Sequence, residues 1–388
     1  MATLRALDVP AGPEVLRVLP ALEAMLAGDA ALLPVPAFDA REKNLLTEAL
    51  RVGSGIDDDV GLVVSTSGTT GMPKGAMLTT AALTASASAT HSRLGGPGRW
   101  LLALPAHHIA GIQVLIRSVQ AATTPVVMDV SEGFDVAALP DVVAEMGGGR
   151  RYTSLVAAQL AKALDHPAAA AALGSLDSVL IGGGPLPTPV AEKASAAGVP
   201  LVRTYGMSET AGGCVYDGRP LQGVRVRIDD GRVVLGGPTL AKGYRNRSSP
   251  DPFAERGWFR TDDAGSIDAD GVLRVYGRLD EAISTGGLTV LPQVVEAAVA
   301  THPAVAQCAV FGVPDVRLGQ RVAAVVITAP GADPPTLEDL RAHVARSLDV
   351  TAAPREVHTV DELPLRGIGK VDRRALAARF GPGAVRRD

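Results

Sequence analysis

The stretch Val60-Gly-Leu-Val-Val-Ser-Thr-Ser-Gly-Thr-Thr-Gly-Met-Pro-Lys-Gly75 joins an apolar run to a loop rich in hydroxyls and glycines. The apolar run over 60–64 predicts a buried strand. The loop that follows can place backbone N–H groups, hydroxyls and one ammonium around a phosphate chain, and glycine lets the backbone approach an anion closely. The stretch therefore predicts a phosphate-binding loop, with candidate ligands Thr66, Ser67, Gly68, Thr69, Thr70 and Lys74.

This loop differs from a Walker A loop, which requires Gly, four residues and then Gly-Lys-Ser/Thr. Here Lys74 follows Pro73 and precedes Gly75, so a P-loop NTPase fits poorly. The alternative is a flexible surface loop of Ser, Thr and Gly. Because the hydroxyls, glycines and lysine come directly after a buried strand, the pattern favours phosphate binding.

Length and composition limit the class of protein. The chain has 388 residues, which suggests two or three domains. Its net charge of −4 gives no electrostatic footprint for nucleic acid or for an anionic membrane. The two cysteines, Cys214 and Cys308, form neither a zinc-site spacing nor a disulfide framework. With no signal-peptide pattern and no uncharged apolar run of membrane-spanning length, we expect a cytoplasmic protein without membrane insertion. The composition leaves a homo-oligomer open.

Helix and strand patterns alternate along much of the chain and predict an α/β fold with mostly parallel sheets. The expected strands are at 60–64, 100–104, 125–128, 152–156, 178–181 and 200–203, and the expected helices at 12–22, 38–51, 79–93, 112–120, 135–146, 157–172 and 188–197. From about residue 223, short alternating runs and Asp-Gly turns predict a small antiparallel β-subdomain. We therefore expect a large N-terminal domain over 1–279, with this subdomain at about 223–279, and a small mobile α+β domain over 280–388.

The segment Ser67-Gly-Thr-Thr-Gly-Met-Pro-Lys-Gly75 resembles the phosphate-loop signature of the adenylate-forming enzymes. These are the acyl-CoA synthetases, the adenylation domains of peptide synthetases and the luciferases. The resemblance extends in motif order over about residues 60–375 and implies ATP and Mg²⁺ as cofactors. The family has a longer stretch before this loop, so we expect the short leader to lack part of the usual N-terminal subdomain.

A second strong motif is Tyr205-Gly-Met-Ser-Glu-Thr210. Tyr205 offers a stacking face for a purine, Thr210 offers a hydroxyl for phosphates, and Glu209 is a hard oxygen donor for Mg²⁺ carried by ATP. The alternative for Glu209 is a solvated loop carboxylate. Gly206 lies in the motif, and Gly212, just after it, leaves room for an acyl group.

A glycine segment and an arginine are further candidates for the same site. The segment Gly182-Gly183-Gly184-Pro185 is either a plain tight turn or, as in the family, a segment packed flat against adenine. Arg203 is either a partner for a substrate carboxylate or a surface arginine, and the sequence leaves both open.

The pair His107-His108 follows a predicted strand. It is either an ordinary loop or core pair, or a wall of the acyl pocket as in the fourth motif of the family, where His108 is the better match. The block His107-His-Ile-Ala-Gly-Ile-Gln113 resembles in particular the o-succinylbenzoate–CoA ligases of menaquinone synthesis.

The remaining motifs lie toward the C-terminus. Trp258-Phe-Arg-Thr-Asp-Asp263 resembles the family motif whose last Asp accepts the ribose hydroxyls, and this role falls on Asp263. Asp262 replaces the usual glycine. Arg278 resembles the arginine that contacts ribose and phosphate, and Asp280 the hinge residue. Ser284 stands where many relatives carry a lysine.

The last motif, Pro364-Leu-Arg-Gly-Ile-Gly-Lys370, resembles the family segment that carries the catalytic lysine, which here is Lys370. The implied catalytic set is Lys370, Glu209 and Thr210. The implied reaction joins a small carboxylic acid to ATP and then to coenzyme A, with o-succinylbenzoate as the expected acid. The alternatives are another aryl- or short-chain acyl-CoA ligase, an adenylation enzyme that loads a carrier protein, or a nucleotide-binding module that has lost catalysis.

Overall fold

The computed structural model of the chain describes residues 1–66, 73–246, 249–366 and 370–381. The first sheet has the strand order β3-β1-β2-β4-β5. Its strands are β1 (Ala2–Val9), β2 (Ala31–Pro36), β3 (Gly55–Ile56), β4 (Val60–Thr66) and β5 (Lys74–Thr79). Strands β1, β2 and β4 run parallel, and β5 returns antiparallel to β4. The strand predicted at 60–64 is therefore confirmed.

The leader contributes two strands to this sheet that the sequence patterns did not predict. Both β1 and β2 are apolar, and every residue of β2 is buried. The predicted leader helices are present as a 3₁₀ segment at Gly12–Val18, α1 (Leu19–Ala27) and α2 (Ala40–Ala49). A short, wholly buried strand has no alternation to reveal it, which is why the patterns missed β2.

Helix α3 (Thr80–Arg93) follows β5 directly. The hydroxyl of Thr79 accepts a hydrogen bond from the backbone N–H of Ala82 at 3.0 Å, which satisfies one of the unpaired donors at the helix start. This helix and its threonine cap are as predicted.

The second sheet has seven strands in the order β12-β11-β10-β9-β8-β6-β7. They are β6 (Arg99–Leu102), β7 (Val126–Val127), β8 (Arg151–Val156), β9 (Ser178–Gly182), β10 (Leu201–Met207), β11 (Gly212–Tyr216) and β12 (Arg219–Pro220). The five strands β6 to β10 are parallel. The connecting helices are α4 (Ile109–Gln120), α5 (Leu139–Glu145), α6 (Ala157–Leu164), α7 (Pro167–Gly174) and α8 (Thr188–Ala196). These elements confirm the α/β class.

The single helix predicted over 157–172 is wrong. Helix α6 ends at Leu164, and α7 starts at Pro167 in the first helical position. Proline is favoured there because it has no N–H to lose, whereas inside a continuous helix it would clash with the preceding turn.

The third sheet is antiparallel, in the order β13-β14-β15-β16, and confirms the predicted β-subdomain. Its strands are β13 (Arg225–Asp229), β14 (Arg232–Gly236), β15 (Trp258–Ile267) and β16 (Leu273–Arg278). One hydrophobic cluster includes Leu62, Trp100 and Leu235, one from each of the three sheets. Because they share a core, their loop ends are held at fixed positions around one site.

The C-terminal segment forms its own α+β unit. It comprises β17 (Ile283–Thr285), β18 (Leu288–Val290), α9 (Pro292–Val299), β19 (Val305–Asp315), β20 (Gly319–Thr328), α10 (Leu337–Val344), β21 (Glu356–Thr359), β22 (Leu365–Arg366), β23 (Lys370–Val371) and α11 (Arg373–Phe380). Two hydrophobic clusters are built from residues in the range 283–380. In the described part of the chain, no helix is long and apolar enough to cross a membrane.

Candidate functional site

The phosphate-loop motif lies at the tip of the hairpin between β4 and β5. Thr66 and Lys74 are paired at the end of that hairpin next to the loop. The predicted ligands Ser67, Gly68, Thr69 and Thr70 lie outside the described residues. The two strands therefore bring the first hydroxyl and the lysine of the motif side by side.

The segment 242–245 pairs with β5 and adds a tyrosine that the sequence analysis missed. The backbone N–H of Met77 donates to Gly243 at 2.9 Å, and that of Arg245 donates to Gly75 at 2.7 Å. This pairing places the ring of Tyr244 5.2 Å from the ammonium of Lys74. No local pattern marks Tyr244, because its position depends on a contact with a strand that is far away in sequence.

Glu209 is buried and is bonded to Tyr244. The tyrosine hydroxyl donates to Oε1 of Glu209 at 2.6 Å, a short, charge-assisted hydrogen bond. Burial and then the adjacent charge of Glu209 raise the pKa of Tyr244, so the phenol stays protonated. Because Glu209 is buried, it is not the solvated loop carboxylate that the sequence left open as an alternative.

The turn after Glu209 holds Thr210 in the interior. The hydroxyl of Thr210 lies 2.7 Å from the carbonyl of Gly212 and 3.1 Å from that of Met207. The backbone N–H of Met207 donates to the same oxygen at 3.0 Å. In this conformation the hydroxyl is engaged by the backbone of its own turn, so contact with a phosphate requires the turn to rearrange.

Two positions beside this turn have little room for larger side chains. A Cβ on Gly206 would clash with the carbonyl oxygen of Gly212. Ala211 has a φ of +52°, a left-handed value that is uncommon for a residue with a Cβ. Its carbonyl accepts from Ser86 at 2.8 Å and from Gln113 at 2.7 Å, which fixes the turn to helices α3 and α4.

Tyr205 and Asp263 are joined although 58 residues separate them. The hydroxyl of Tyr205 donates to Oδ2 of Asp263 at 2.7 Å. Burial raises the pKa of Asp263, while the bond from Tyr205 and the charge of Arg278 oppose that rise. Nη1 of Arg278 lies 3.7 Å from Oδ1 of Asp263 because the two residues are paired across β15 and β16.

Arg278 also reaches the predicted hinge. Its Nε and Nη2 each donate to Asp280 at 2.8 Å, forming a two-bond fork. Asp262, the departure from the family glycine, lies on an exposed face with Arg232 at 3.0 Å. Alternation along the strand thus sends Asp262 away from the interior and Asp263 into it.

The glycine segment begins at the carboxyl end of β9, next to the end of β10 that carries Tyr205. A Cβ on Gly182 would lie 2.5 Å from the hydroxyl of Thr204. Gly183 has a φ of +82°, while Gly184 and Pro185 are exposed. Ligands of open α/β sheets bind at this edge, so the segment and Tyr205 lie on the expected side of the sheet.

The two histidines lie at the start of α4, after β6. His107 is buried, its ring contacts that of Phe38 at 5.8 Å, and burial lowers its pKa to about 4. The imidazole is therefore neutral near pH 7. His108 is half-buried and its ring lies 4.1 Å from that of His107. Arg203 is exposed, which agrees with the alternative that it is a surface arginine.

Helix α4 carries a buried arginine that the sequence analysis also missed. Arg117 is 3% exposed, and its guanidinium lies 5.0 Å from the ring of Trp100. Among the described residues it has no hydrogen-bonding or ion-pairing partner, and burial lowers its pKa. Buried side-chain atoms without a partner also include Nδ1 of His107 and Oε1 of Gln113. An arginine within an apolar helix pattern is a signal that could have been noticed.

Lys370 starts β23 and is paired with Arg366 of β22 in a two-stranded hairpin. The described residues contain no group of three or more His, Cys, Asp or Glu that could hold a metal ion. Glu209 supplies a single buried carboxylate. This set fits Mg²⁺, which proteins usually bind through one or two carboxylates together with substrate phosphates.

Comparisons with known proteins agree with this arrangement. Residues 55–245 match the model of the AMP-binding enzyme family, and residues 294–370 match that of the AMP-binding enzyme C-terminal domain. A protein of Mycobacterium tuberculosis (strain H37Rv) named "Probable 2-succinylbenzoate–CoA ligase" is 66% identical over 97% of this chain and 98% of its own length. A 2-succinylbenzoate–CoA ligase of Geobacillus sp. (strain WCH70) is 33% identical over 82% of this chain and 69% of its own length.

A solved structure is also similar to this chain. The o-succinylbenzoate CoA synthetase (MenE) of Bacillus subtilis, in complex with the acyl-adenylate OSB-AMP, aligns with a TM-score of 0.81 and 25% identity over 96% of this chain and 88% of that one. The matched family ranges contain the phosphate loop, the Tyr205 motif and Lys370. The chain belongs to the AMP-binding, adenylate-forming enzyme family.

Proposed function

We propose that this chain is an ATP-dependent, AMP-forming ligase that converts o-succinylbenzoate into o-succinylbenzoyl-CoA through an acyl-adenylate. The observation that carries this proposal is the 66% identity, over nearly the whole of both chains, with the M. tuberculosis protein named "Probable 2-succinylbenzoate–CoA ligase". The internal geometry supports it, because two carboxylates from separate elements are each held by a tyrosine. Asp263 accepts from Tyr205, and Glu209 accepts from Tyr244.

In the first half-reaction the substrate carboxylate attacks the α-phosphate of ATP and pyrophosphate leaves. Two anions must approach each other, so the site has to supply positive charge where charge develops. Lys370 bridges the carboxylate and the α-phosphate, and Lys74 neutralises the departing pyrophosphate. Glu209 is the residue that would hold Mg²⁺, which when bound supplies further charge neutralisation at the phosphates.

Asp263 accepts the ribose hydroxyls, and Tyr205 stacks on the purine beside the segment 182–185. In the second half-reaction the thiol of coenzyme A attacks the acyl carbon and AMP leaves. The unit 280–388 rotates about Asp280 between the two steps, withdrawing Lys370 and opening a path for the thiol. Asp280→Pro should spare adenylation and block thioester formation, whereas equal loss of both steps would argue against a hinge.

Helix α4 borders the Glu209 turn through Gln113, which donates to the carbonyl of Ala211. Arg117 lies one turn further along the helix and contacts Trp100 near the amino end of β6. Because ligands of open α/β sheets bind at the carboxyl ends of the strands, Arg117 is not assigned to the acid.

A second candidate within the class is a fatty-acid–CoA ligase. The medium/long-chain-fatty-acid–CoA ligase FadD8 of M. tuberculosis is 33% identical over 85% of this chain and 63% of its own length. The lower identity and the shorter coverage of this relative favour o-succinylbenzoate as the acid.

The test is ATP-dependent thioester formation with coenzyme A across a panel of acids that includes o-succinylbenzoate, benzoates and fatty acids. We expect o-succinylbenzoate to give the highest kcat/KM. Turnover of benzoates or fatty acids without turnover of o-succinylbenzoate would overturn the choice of substrate. In the same assays, Lys370→Ala should abolish pyrophosphate exchange while sparing thioester formation from supplied acyl-adenylate. Wild-type exchange in that variant would show that the lysine is wrongly assigned.

A further inference from the structure

A half-buried guanidinium lies at the start of α11, three residues after Lys370. Arg373 donates from Nε to the carbonyl of Val310 at 2.9 Å, from Nη1 to Glu281 at 2.8 Å, and from Nη2 to the two carboxylate oxygens of Glu296 at 2.7 and 2.8 Å. Its side chain is 16% exposed. All three nitrogens of the fork are therefore occupied, a geometry that lysine cannot reproduce.

The two carboxylates that hold Arg373 belong to different parts of the C-terminal unit. Glu296 lies in α9, and its Oε1 also accepts from the backbone N–H of Val310 at 2.7 Å. Glu281 immediately follows Asp280, the predicted hinge, and accepts from Nε2 of Gln293 at 2.6 Å. Arg373 thus connects the segment just after the hinge with the helix just after Lys370.

The strand that carries Lys370 is short. Strand β23 is two residues long and, within the described ranges on either side of 367–369, its strand pairing is with the two-residue β22. Apart from this hairpin, it is held by the packing of Val371 against a hydrophobic cluster and by the backbone bond from Asp372 to Pro364 at 2.8 Å. A catalytic group on such a short hairpin depends on the helix that follows it for its position.

We propose that Arg373, through Glu281 and Glu296, is a positioning residue for Lys370 in the first half-reaction. This inference rests on the proposed function, in which Lys370 acts in adenylation after the unit 280–388 rotates about Asp280. The ion-pair cluster makes the hinge-side segment, α9 and the start of α11 move as one body. When the unit rotates at Asp280, Lys370 then moves with it and keeps its position relative to the rest of the unit.

A purely stabilising ion pair would predict a different result. It would lower the folded fraction and depress both half-reactions together. A positioning role predicts selective loss of adenylation, since a misplacement of about 1 Å in a catalytic group can cost roughly 10²-fold in rate. Thioester formation in the other orientation of the domain does not use Lys370 and should be retained.

The test uses the full chain with Arg373→Lys and Glu281→Gln, and with Arg374→Lys as a matched control. Arg374 is the next residue on the same helix and is exposed. For each variant we would measure kcat and the KM for ATP in pyrophosphate exchange, thioester formation from supplied acyl-adenylate, and thermal unfolding. Glu281→Gln keeps the pairing of Arg373 with Glu296, so it tests the link to the hinge side in a protein that stays folded.

We expect Arg373→Lys to lower kcat for exchange by roughly 10- to 100-fold with the KM for ATP within about twofold of wild type. In the same variant, thioester formation should fall less than about twofold. Glu281→Gln should show the same selective loss of exchange, but a smaller one. Arg374→Lys should resemble wild type in both half-reactions. Equal loss of both half-reactions, or unchanged exchange in Arg373→Lys and Glu281→Gln, would overturn the proposal. Absence of exchange in the wild-type protein with every acid would refute the proposed function itself, which is a separate result.

Discussion

Replacing Arg117 by methionine should make this protein more stable while leaving its KM for the acid unchanged. Arg117 is 3% exposed and has no carboxylate or hydrogen-bond acceptor among the described residues. Methionine keeps an unbranched, flexible side chain, although a shorter one, and removes the charge. A rise in stability together with an unchanged KM separates this outcome from general damage to the fold.

The stability change follows from the surroundings of the guanidinium. A buried, unpaired ion carries a penalty of several kcal/mol. The contact with Trp100 at 5.0 Å offsets part of this penalty, since a desolvated cation–π pair contributes about 2 kcal/mol. The difference between these two contributions predicts that Arg117→Met raises the free energy of unfolding by on the order of 1–3 kcal/mol in the ligand-free protein. Denaturant unfolding at neutral pH measures this change.

No effect on substrate binding is expected. Arg117 contacts Trp100 near the amino end of β6, whereas ligands of open α/β sheets bind at the carboxyl ends of the strands. The KM for o-succinylbenzoate in pyrophosphate exchange should therefore stay within about twofold of wild type.

Gln120→Met, one turn further along α4, is the matched protein control and should change neither quantity. A rise of more than about tenfold in the KM for o-succinylbenzoate would show that Arg117 does contact the acid. A loss of stability in Arg117→Met would refute the view that the guanidinium is a buried charge without an ionic partner among the described residues.

Three further predictions concern the other buried polar groups. Tyr244→Phe should lower the free energy of unfolding by about 1.5–3 kcal/mol, because the buried carboxylate of Glu209 loses a donor at 2.6 Å. The control Tyr276→Phe, at an exposed tyrosine, should change the free energy of unfolding by less than about 0.5 kcal/mol. Equal effects of the two substitutions would contradict the argument. Tyr205→Phe should move the acid limb of the pH profile of the KM for ATP to higher pH, since the bond from Tyr205 lowers the pKa of Asp263; an unshifted limb would count against Asp263 as the ribose ligand. His107 has a pKa of about 4 in the folded chain against an ordinary 6.5, so the unfolded chain binds more protons between these values and stability falls with acidification. Between pH 7 and pH 5, the free energy of unfolding should fall by about 2 kcal/mol less in His107→Leu than in wild type, as measured by denaturant unfolding. An identical fall in the two proteins would show that His107 is not the group involved.

The patterns were sufficient for the elements whose signal is local. The strand before the phosphate loop, the capped helix α3 and the antiparallel third sheet follow from apolar runs, a threonine cap and Asp-Gly turns. Strands β1, β2 and β5 were missed. Short buried strands lack a distinctive period, and whether they form depends on the neighbouring strands that pair with them.

The sequence by itself determined the family and the chemical types at the site, because the motifs at 65–75, 205–210 and, apart from Asp262, 258–263 keep their residue types and order. Only the tertiary structure decided which groups meet. The bond between Tyr205 and Asp263 requires the second and third sheets to share a core, and the bond between Tyr244 and Glu209 requires a loop to pair with β5. The isolation of Arg117 and the three-sided binding of Arg373 are likewise properties of packing, since a partner, or the lack of one, is decided by residues that are distant along the chain.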